Sequence, residues 1–406
     1  MAPGSFAESA PTTAGPRVAS PDRERPWETA LRAPFRVATF PLRLFGNGLE
    51  WGFDFVGPRL FDPKVHRPSP SGLKVAPHIA LGSLTDTGIG PAISWQGFPT
   101  ADSKLDLSGS WTLHDRRRVR LTERIGTGRP VGLLMRADYD YKPNRRFYGI
   151  GNETLQSDAS YFLFERTNAD VAVHLGGSPM RQLRIGGGYS HMSPRRGYHG
   201  TPQLEDVFAP ASVPYSHQAT SAVWYGVSAD LAAVDEGRDP SRGAHARGEL
   251  RRAAGLGSGD PDYDQWELEG RAYIPVFAKR RVIALRLVHS GVEPRSRGSA
   301  PLPFYVLAQS QGSTRFAGFT SERFRDRQLI LARMEYRWAI LYRMSALALY
   351  ERSQVAPRAS AFRLRDSHEA YGGGLRLGLT DASAIRLELA HSTEGLHAMV
   401  SLGGDF

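Results

Sequence analysis

Residues 329–340 read LILARMEYRWAI, and their apolar and charged side chains alternate with a period of two. The apolar positions are Ile330, Ala332, Met334, Tyr336, Trp338 and Ile340, and the charged positions are Arg333, Glu335 and Arg337. Successive side chains of a β-strand point to opposite faces, so the pattern predicts a strand with one apolar and one charged face. Residues 131–142 (VGLLMRADYDYK) and 265–274 (QWELEGRAYI) repeat the pattern.

The length of these segments distinguishes them from the strands of soluble sheets. Soluble strands average about 5–6 residues, whereas a tilted strand that crosses a bilayer needs about 9–11, and each alternating segment reaches that length. Both signs of charge occupy the polar face, as a water-filled lumen allows, and Tyr and Trp lie near segment ends, as in interfacial girdles. We therefore expect membrane-spanning strands.

Sixteen such segments follow residue 72. They are residues 73–82, 88–97, 104–114, 117–125, 130–141, 158–176, 180–192, 221–232, 243–255, 262–276, 279–291, 328–340, 342–352, 369–380, 383–392 and 395–406. The longer connections are residues 142–157, 193–220, 292–327 and 353–368. They all follow odd-numbered segments, and outer-membrane barrels likewise have long loops on the outer side only. The predicted fold class is all-β, a 16-stranded antiparallel transmembrane β-barrel over residues 73–406.

The amino-acid composition excludes several classes of protein and of site. With 406 residues, 41% apolar and 23% charged, the chain is too polar for a bundle of membrane helices and too apolar to be disordered. No run approaches the roughly 18 apolar residues of a spanning helix. The lack of cysteine excludes disulfides, thiolate metal sites and cysteine nucleophiles. The net charge is +10, but the basic residues are spread along the chain, which argues against a nucleic-acid partner.

The N-terminal region differs from the rest of the chain. Residues 1–25 are rich in Ala, Pro, Ser and Thr and lack the apolar core of a secretory signal, so we expect a disordered segment. Either the chain is cytosolic, or a leader was removed from this sequence or missed by a wrong start codon. In residues 26–72 apolar side chains recur at helical spacing, but Pro34 and Pro41 interrupt any long helix. We expect short amphipathic helices that plug the barrel, lie on the periplasmic leaflet or bind a partner.

Two loop motifs resemble those of a known family. Residues 145–154, RRFYGIGNET, resemble the F-Y-G-[IL]-G-N signature of the bacterial surface antigen or BamA/TamA superfamily of outer-membrane barrels. The matching residues are Phe147, Tyr148, Gly149, Gly151 and Asn152. Residues 315–338, RFAGFTSERFRDRQLILARMEYRW, resemble the sixth extracellular loop of that family and the strand after it. The loop residues carried over are Phe316, Gly318, Phe319, Arg323, Phe324, Arg325, Asp326 and Arg327.

The resemblance implies that this loop folds back into the lumen before the twelfth strand, where the strand count also places it. The family has Arg at the position of Ala317 and pairs it with an inward carboxylate of the thirteenth strand, for which this chain offers Glu351. We hypothesise that Arg315, Arg323 or Arg325 replaces the missing guanidinium and pairs with Glu351, because a charge-assisted bond contributes roughly 1.5–3 kcal/mol.

The two ends of the chain bear on assembly. The sequence finishes GLHAMVSLGGDF, in which Leu402 and Phe406 share one face, and the terminal Phe resembles the insertion signal of bacterial barrels. Assembly members of the superfamily carry periplasmic POTRA repeats, but the Pro-rich residues 1–72 contain no convincing strand pair. We therefore expect no POTRA domain there.

Other motifs admit both a functional and a structural interpretation. Gly149 and Gly151 suggest either a nucleotide loop or a turn with positive φ, and the lack of a βαβ pattern favours the turn. Asp138 and Asp140 share one strand face. They are either ligands of a metal ion or solvated carboxylates in the lumen beside Arg136, and we favour the solvated carboxylates. We expect no catalytic, cofactor-binding or metal-binding residues.

Basic clusters fall at the predicted outer loops, where they would either pair with lipopolysaccharide phosphates or stay solvated. They are residues 116–118, Arg145 with Arg146, and Arg195 with Arg196.

The sequence thus predicts a bacterial outer-membrane protein that is not an enzyme. The leading hypothesis is insertion or translocation of proteins or lipids through a weak seam between residues 73–82 and 395–406, beside the inward loop. The expected partners are outer-membrane lipid, lipopolysaccharide and unfolded outer-membrane protein or lipid clients. The alternatives are a passive pore or structural surface barrel that has lost the assembly role and, because no leader is visible, a soluble β-rich cytosolic protein.

Overall fold

The computed structural model describes most of the chain beyond residue 71. The described residues are 72–80, 88–112, 114–126, 128–178, 181–198, 200–235, 240–276, 281–295, 301–311, 315–341, 344–378 and 384–403. The chain divides into two compact units, residues 1–40 and 41–406, and every described residue belongs to the second. The predictions for residues 1–25 and for the helices of residues 26–72 therefore fall outside the described part.

The described residues form one large antiparallel sheet. Its strands are β1 (Leu73–Ala80), β2 (Gly88–Gln96), β3 (Ser103–Thr112), β4 (Arg117–Ile125), β5 (Val131–Phe147), β6 (Ser160–Ser178), β7 (Arg181–Arg196), β8 (Thr220–Val234), β9 (Gly243–Gly255), β10 (Tyr263–Pro275), β11 (Arg281–Pro294), β14 (Gln328–Ala339), β15 (Met344–Ala356), β16 (His368–Gly378), β17 (Ala384–Ser392) and β18 (Gly395–Gly403). Each strand pairs with its neighbour in the chain, and β1 and β18 stand at the two ends of the hydrogen-bonded order. The short strands β12 (Ala308–Gln309) and β13 (Arg325–Asp326) pair with each other between β11 and β14.

The predicted sixteen-stranded antiparallel architecture is confirmed, strand for strand. The largest boundary differences lie in β5, β7 and β15, which run to Phe147, Arg196 and Ala356. In β5 a register shift between Lys142 and Arg145 absorbs Pro143 and lets pairing resume, which the alternating pattern could not show. The long connections all lie at one end of the strands, here called the long-loop end.

The alternation of side chains in β14 is also as predicted. Glu335 is fully buried on the inner face, whereas its neighbour Met334 on the outer face is 50% exposed. Arg333 and Arg337 are buried with Glu335, because the inner face of the neighbouring strands supplies partners of opposite charge. The charged face of the quoted segment therefore lines the interior, and its apolar face forms the outer wall.

Much of the interior at the long-loop end is occupied by the connection between β11 and β14, here called the sixth loop. Its residues Phe304 and Tyr305 pack with Phe147, Phe162 and neighbouring apolar side chains of β5 and β6. A one-turn helix, α1 (Leu204–Val207), lies in the connection between β7 and β8 and contributes Leu204 to the same cluster. Among the described residues, no helix has both the length and the apolar character to span a membrane.

Candidate functional site

The tip of the sixth loop lies against the inner face of the wall. Phe316 and Phe319 are almost fully buried, and their rings stack with centroids 4.6 Å apart. Phe324 stacks on His368 at 4.1 Å and meets Phe319 edge-on at 5.1 Å. The cluster also includes Val288, Ala308, Leu329, Leu331, Val355 and Ala370, from β11, β12, β14, β15 and β16. Aromatic packing of this kind contributes about 0.5–1.5 kcal/mol per pair beyond the burial of area.

Two backbone hydrogen bonds fix the tip between the phenylalanines. The Ala317 N–H donates to Glu351 Oε2 at 2.7 Å, and Ser392 Oγ donates to the Gly318 carbonyl at 2.5 Å. Gly318 is required sterically, since a Cβ atom there would lie 2.4 Å from the Cβ of Ala370. The loop backbone therefore approaches β15, β16 and β17 as closely as the chain permits.

Glu351 forms its ion pair with an arginine of a wall strand and not with an arginine of the sixth loop. Arg333, its register partner on β14, donates to Glu351 Oε1 at 2.5 Å. Arg323 pairs instead with Glu394. Among the described contacts the arginine that pairs with Glu351 is Arg333, so the hypothesis that a loop arginine does so is wrong. Sequence reasoning missed this substitution because the register between β14 and β15 cannot be read from periodicity.

Arg333 belongs to a buried ion cluster on β14, β15 and β17. The ion pairs of the described residues join Arg333, Arg337, Arg386, Glu335, Glu351 and Glu388. Arg333 lies 2.5 Å from Glu335 and also pairs with Glu388, while Arg386 bridges Glu335 and Glu388. Each of these three buried carboxylates pairs with at least one guanidinium group, which compensates its negative charge.

Arg323 ties the loop to two other connections. Its Nε lies 2.5 Å from Glu394, in the turn before β18, and its Nη atoms donate at 2.6 Å to the hydroxyl and the carbonyl of Thr154. The guanidinium also lies 4.9 Å from the ring centroid of Tyr148. The sixth-loop motif and the RRFYGIGNET motif, predicted separately, are therefore in contact.

Arg325 continues that contact. Its carbonyl accepts from the Gly151 N–H at 2.8 Å, and its guanidinium lies 5.3 Å from the ring centroids of both Phe147 and Phe304. The next residues lie closer to the rim. Asp326 accepts from the Arg327 N–H at 2.7 Å, and Arg327 forms a half-exposed pair with Glu293 at 3.3 Å.

The glycines of the RRFYGIGNET motif adopt positive φ, as the turn interpretation predicts. Gly149 has φ of 103° and Gly151 has φ of 115°. Asn152 then contacts the end of β15 and the connection that follows it: its Oδ1 accepts from the Val355 N–H at 3.1 Å, and its Nδ2 donates to the Asp366 carbonyl at 2.7 Å. The motif thus joins the sixth loop to the connection between β15 and β16.

A second ionic contact links β5 to the sixth loop. Arg145 lies 2.9 Å from Glu322 and donates further to Gln309 and Gln311. Burial opposes ionisation of Glu322, but the positive charges of Arg145 and Lys142 together hold the pKa of its carboxyl below the ordinary value. Sequence reasoning placed Arg145 in a basic cluster and missed its partner, which lies far away in the chain.

Beside the loop the lumen retains a cavity of about 730 Å³. Its lining contains eight Arg or Lys and four Asp or Glu residues. Asp140 alone faces Arg116 at 3.3 Å, Arg118 at 3.4 Å and Lys142 at 3.6 Å. The interior is therefore wet and cationic where the loop does not fill it.

The remaining predicted residues are not gathered at the loop. Asp138 accepts from Asn168 and lies 3.7 Å from Arg166, and the described residues contain no group of carboxylates and histidines arranged for a metal ion. Arg195 and Arg196 pair with Glu165 and Glu205 on the exposed surface. The proposed insertion signal falls outside the description, since Phe406 and the Leu402 side chain are not described.

Comparisons with known proteins agree with this architecture. The Omp85 superfamily domain matches residues 103–356. BamA from Haemophilus ducreyi lacking POTRA domains 1–3 superposes with a TM-score of 0.62 at 15% identity, over 82% of this chain and 70% of that one. CdiB from Acinetobacter baumannii gives 0.51 at 12% identity over 81% and 59%, and CdiB from Escherichia coli gives 0.51 at 11% over 83% and 63%.

A search of curated proteins gives no match. The chain spans less than two thirds of either CdiB chain. At these identities the likenesses establish the fold, a transmembrane β-barrel of sixteen strands.

Proposed function

Because the chain belongs to the Omp85 superfamily, we propose that it assists the insertion or translocation of proteins or lipids at the bacterial outer membrane. The clients are unfolded outer-membrane proteins or lipids, which enter the bilayer at a lateral seam between β1 and β18. The surrounding partners are outer-membrane lipid and lipopolysaccharide. No covalent chemistry is required, so the protein acts without a cofactor and not as an enzyme.

The observation that carries this proposal is the position of β1 and β18 at the two ends of the hydrogen-bonded order. Among the described residues no hydrogen-bond ladder joins these two strands, whereas every other strand of the large sheet is paired on both sides. A sheet edge offers unpaired N–H and C=O groups to another strand, so a client segment can pair there as it enters the bilayer.

The ion cluster and the sixth loop support the same mechanism, because they hold the strands next to the seam together. They join β14, β15 and β17 through buried ion pairs and through the Ala317 and Gly318 hydrogen bonds. Breaking such contacts is costly, so motion is favoured at the ends of the hydrogen-bonded order, between β1 and β18. The loop would brace the last strands while the seam opens.

A reversible disulfide across the seam tests this proposal. The chain has no cysteine, so Val75→Cys can be combined in turn with Ala398→Cys or Val400→Cys. The control is Ala137→Cys with Ala169→Cys, which are direct partners on β5 and β6. In liposomes supplied with a urea-unfolded outer-membrane barrel, we expect the seam disulfide to abolish insertion and a reductant to restore it. Insertion at the control rate with the seam locked would contradict the proposal.

The cationic cavity favours a second candidate, a passive pore. Its 730 Å³ volume and its excess of basic residues suit an anion path through the lumen. Steady, large, anion-selective currents in a planar bilayer, with the seam disulfide in place, would support the pore. Currents that are absent or only transient would leave insertion or translocation as the better account.

A further inference from the structure

A groove of about 470 Å³ runs along the outer side of the wall at β10, β11, β14 and β15. Small residues leave it open, namely Gly270, Ala272 and Ala332, and Leu287 and Met334 form its sides. All of these positions belong to the outward-facing, apolar half of the strand alternation. In a membrane-spanning wall, such a concavity is filled by lipid or by another membrane protein.

One end of the groove carries a charge. Arg352 lines it, and because Glu351 and Ser353 are buried on the inner face, Arg352 points outward. It is the register partner of Ala332 on β14 and of Glu369 on β16, and it forms an ion pair with Glu369. Its Nε atom has no hydrogen-bond partner among the described residues. Ionisable residues on the lipid-facing surface are costly and mark functional sites by default.

A basic loop lies directly above this charge. The connection between β15 and β16, residues 357–367, folds against the outer face at Gln354, which is the next outward-facing residue of β15 after Arg352. Gln354 Oε1 accepts from the Arg363 N–H at 3.0 Å. In the same row, Phe362 lies 6.1 Å from His289 of β11. The loop contributes three exposed arginines, Arg358, Arg363 and Arg365, against the single acid Asp366.

We propose that the groove binds one molecule of an outer-leaflet glycolipid of the lipopolysaccharide class. An acyl chain lies in the groove, and the phosphates of the headgroup bind Arg352 and the arginines of residues 357–367. Long loops of outer-membrane barrels face the outside, so this end of the wall meets the outer leaflet. Several guanidinium groups around one apolar groove suit a ligand with more than one phosphate, since each can bind phosphate through paired N–H donors. The inference rests on placement in the outer membrane and not on the insertion role.

The test uses the detergent-solubilised full chain, titrated with deep-rough lipopolysaccharide and followed by native mass spectrometry. We expect one bound molecule for the wild type and a Kd at least about tenfold weaker for Ala332→Phe, which fills the groove, and for Arg352→Gln, which removes the charge. Arg352→Lys keeps a point charge and should lie between. The matched control is Ala169→Phe, the same change at an exposed, outward-facing position of β6, which should bind like the wild type.

Three results would overturn the proposal. They are equal affinity of Ala332→Phe and Ala169→Phe, binding of phosphatidylglycerol as tight as that of lipopolysaccharide, and a dimer that forms in the wild type and is lost in Ala332→Phe. The last would identify a second copy of the chain as the occupant. Each variant must keep its heat-modifiable band, which shows a folded barrel. Client insertion by Ala332→Phe is measured as well. If insertion is normal while lipopolysaccharide binding is lost, the two proposals are independent, and the failure of one does not imply the failure of the other.

Discussion

Replacing Glu351 by alanine removes the one carboxylate that holds both the wall and the loop tip. Glu351 is fully buried and accepts from Arg333 at 2.5 Å and from the Ala317 N–H at 2.7 Å. Arg333 keeps Glu335 and Glu388 but loses the third of its described carboxylate partners. Removing one partner of a buried pair costs about 3–5 kcal/mol, and an orphaned buried N–H costs about 1–3 kcal/mol. We expect Glu351→Ala to lose at least about 3 kcal/mol of unfolding free energy and to release the loop tip.

The measurement is the urea midpoint of the heat-modifiable band in detergent, together with trypsin cleavage within the loop. The control is Glu293→Ala, which removes the half-exposed pair with Arg327 and one hydrogen bond from the Gln328 side-chain amide and should cost about 1–2 kcal/mol. Adding Arg333→Met to Glu351→Ala should recover part of the loss, because Arg333 then no longer stays buried without Glu351, while Arg337 and Arg386 still pair with Glu335 and Glu388. Equal midpoints for Glu351→Ala and Glu293→Ala would refute the assigned role of the cluster.

Three further changes probe the loop. Gly318→Ala would place a methyl group 2.4 Å from the Cβ of Ala370, so we expect undocking of the tip and faster trypsin cleavage without loss of the barrel band. Arg323→Ala removes contacts to two other connections and should lower the free energy of unfolding by about 2–4 kcal/mol, which is measured as a lower urea midpoint. An unchanged midpoint would show that these contacts do not stabilise the protein. The pKa of Glu322 is lowered below its ordinary value of 4.5, so the stability from its pair with Arg145 is present above pH 4.5 and is lost as the pH falls through the lowered value. Midpoints between pH 7 and pH 3 should therefore fall more steeply in the wild type than in Glu322→Gln, and parallel curves would contradict this.

The strands could be predicted because an outer-membrane wall imposes a simple rule on the sequence. Each strand separates water from lipid, so polar and apolar residues alternate along it, as from Ala332 to Trp338. The rule fails where the strand leaves the membrane. β5 continues past Pro143 to Phe147 because its last residues pair beyond a bulge and pack on the sixth loop, and no periodicity records that.

The partners in the candidate site could not be predicted for a different reason. Arg333 and Glu351 face each other only because β14 and β15 pair in one register, and a shift of β15 by one residue would send the Glu351 side chain outward. Arg145 and Glu322 lie 177 residues apart and meet only when the loop enters the barrel. The motifs identified the segments that come together, whereas the individual contacts depend on long-range geometry.

The anchoring of the loop tip also sets an order of events in folding. The tip bonds to Glu351 of β15 and to Ser392 of β17, and Arg323 reaches Glu394 in the last turn, so its seat does not exist until the C-terminal hairpins have paired. Contacts between residues so distant in sequence form late, because the chain entropy of closing the intervening segments must be overcome first. Docking of the sixth loop therefore reports that the C-terminal strands have paired, and a protease that cuts the undocked loop would distinguish molecules that have reached this stage from those that have not.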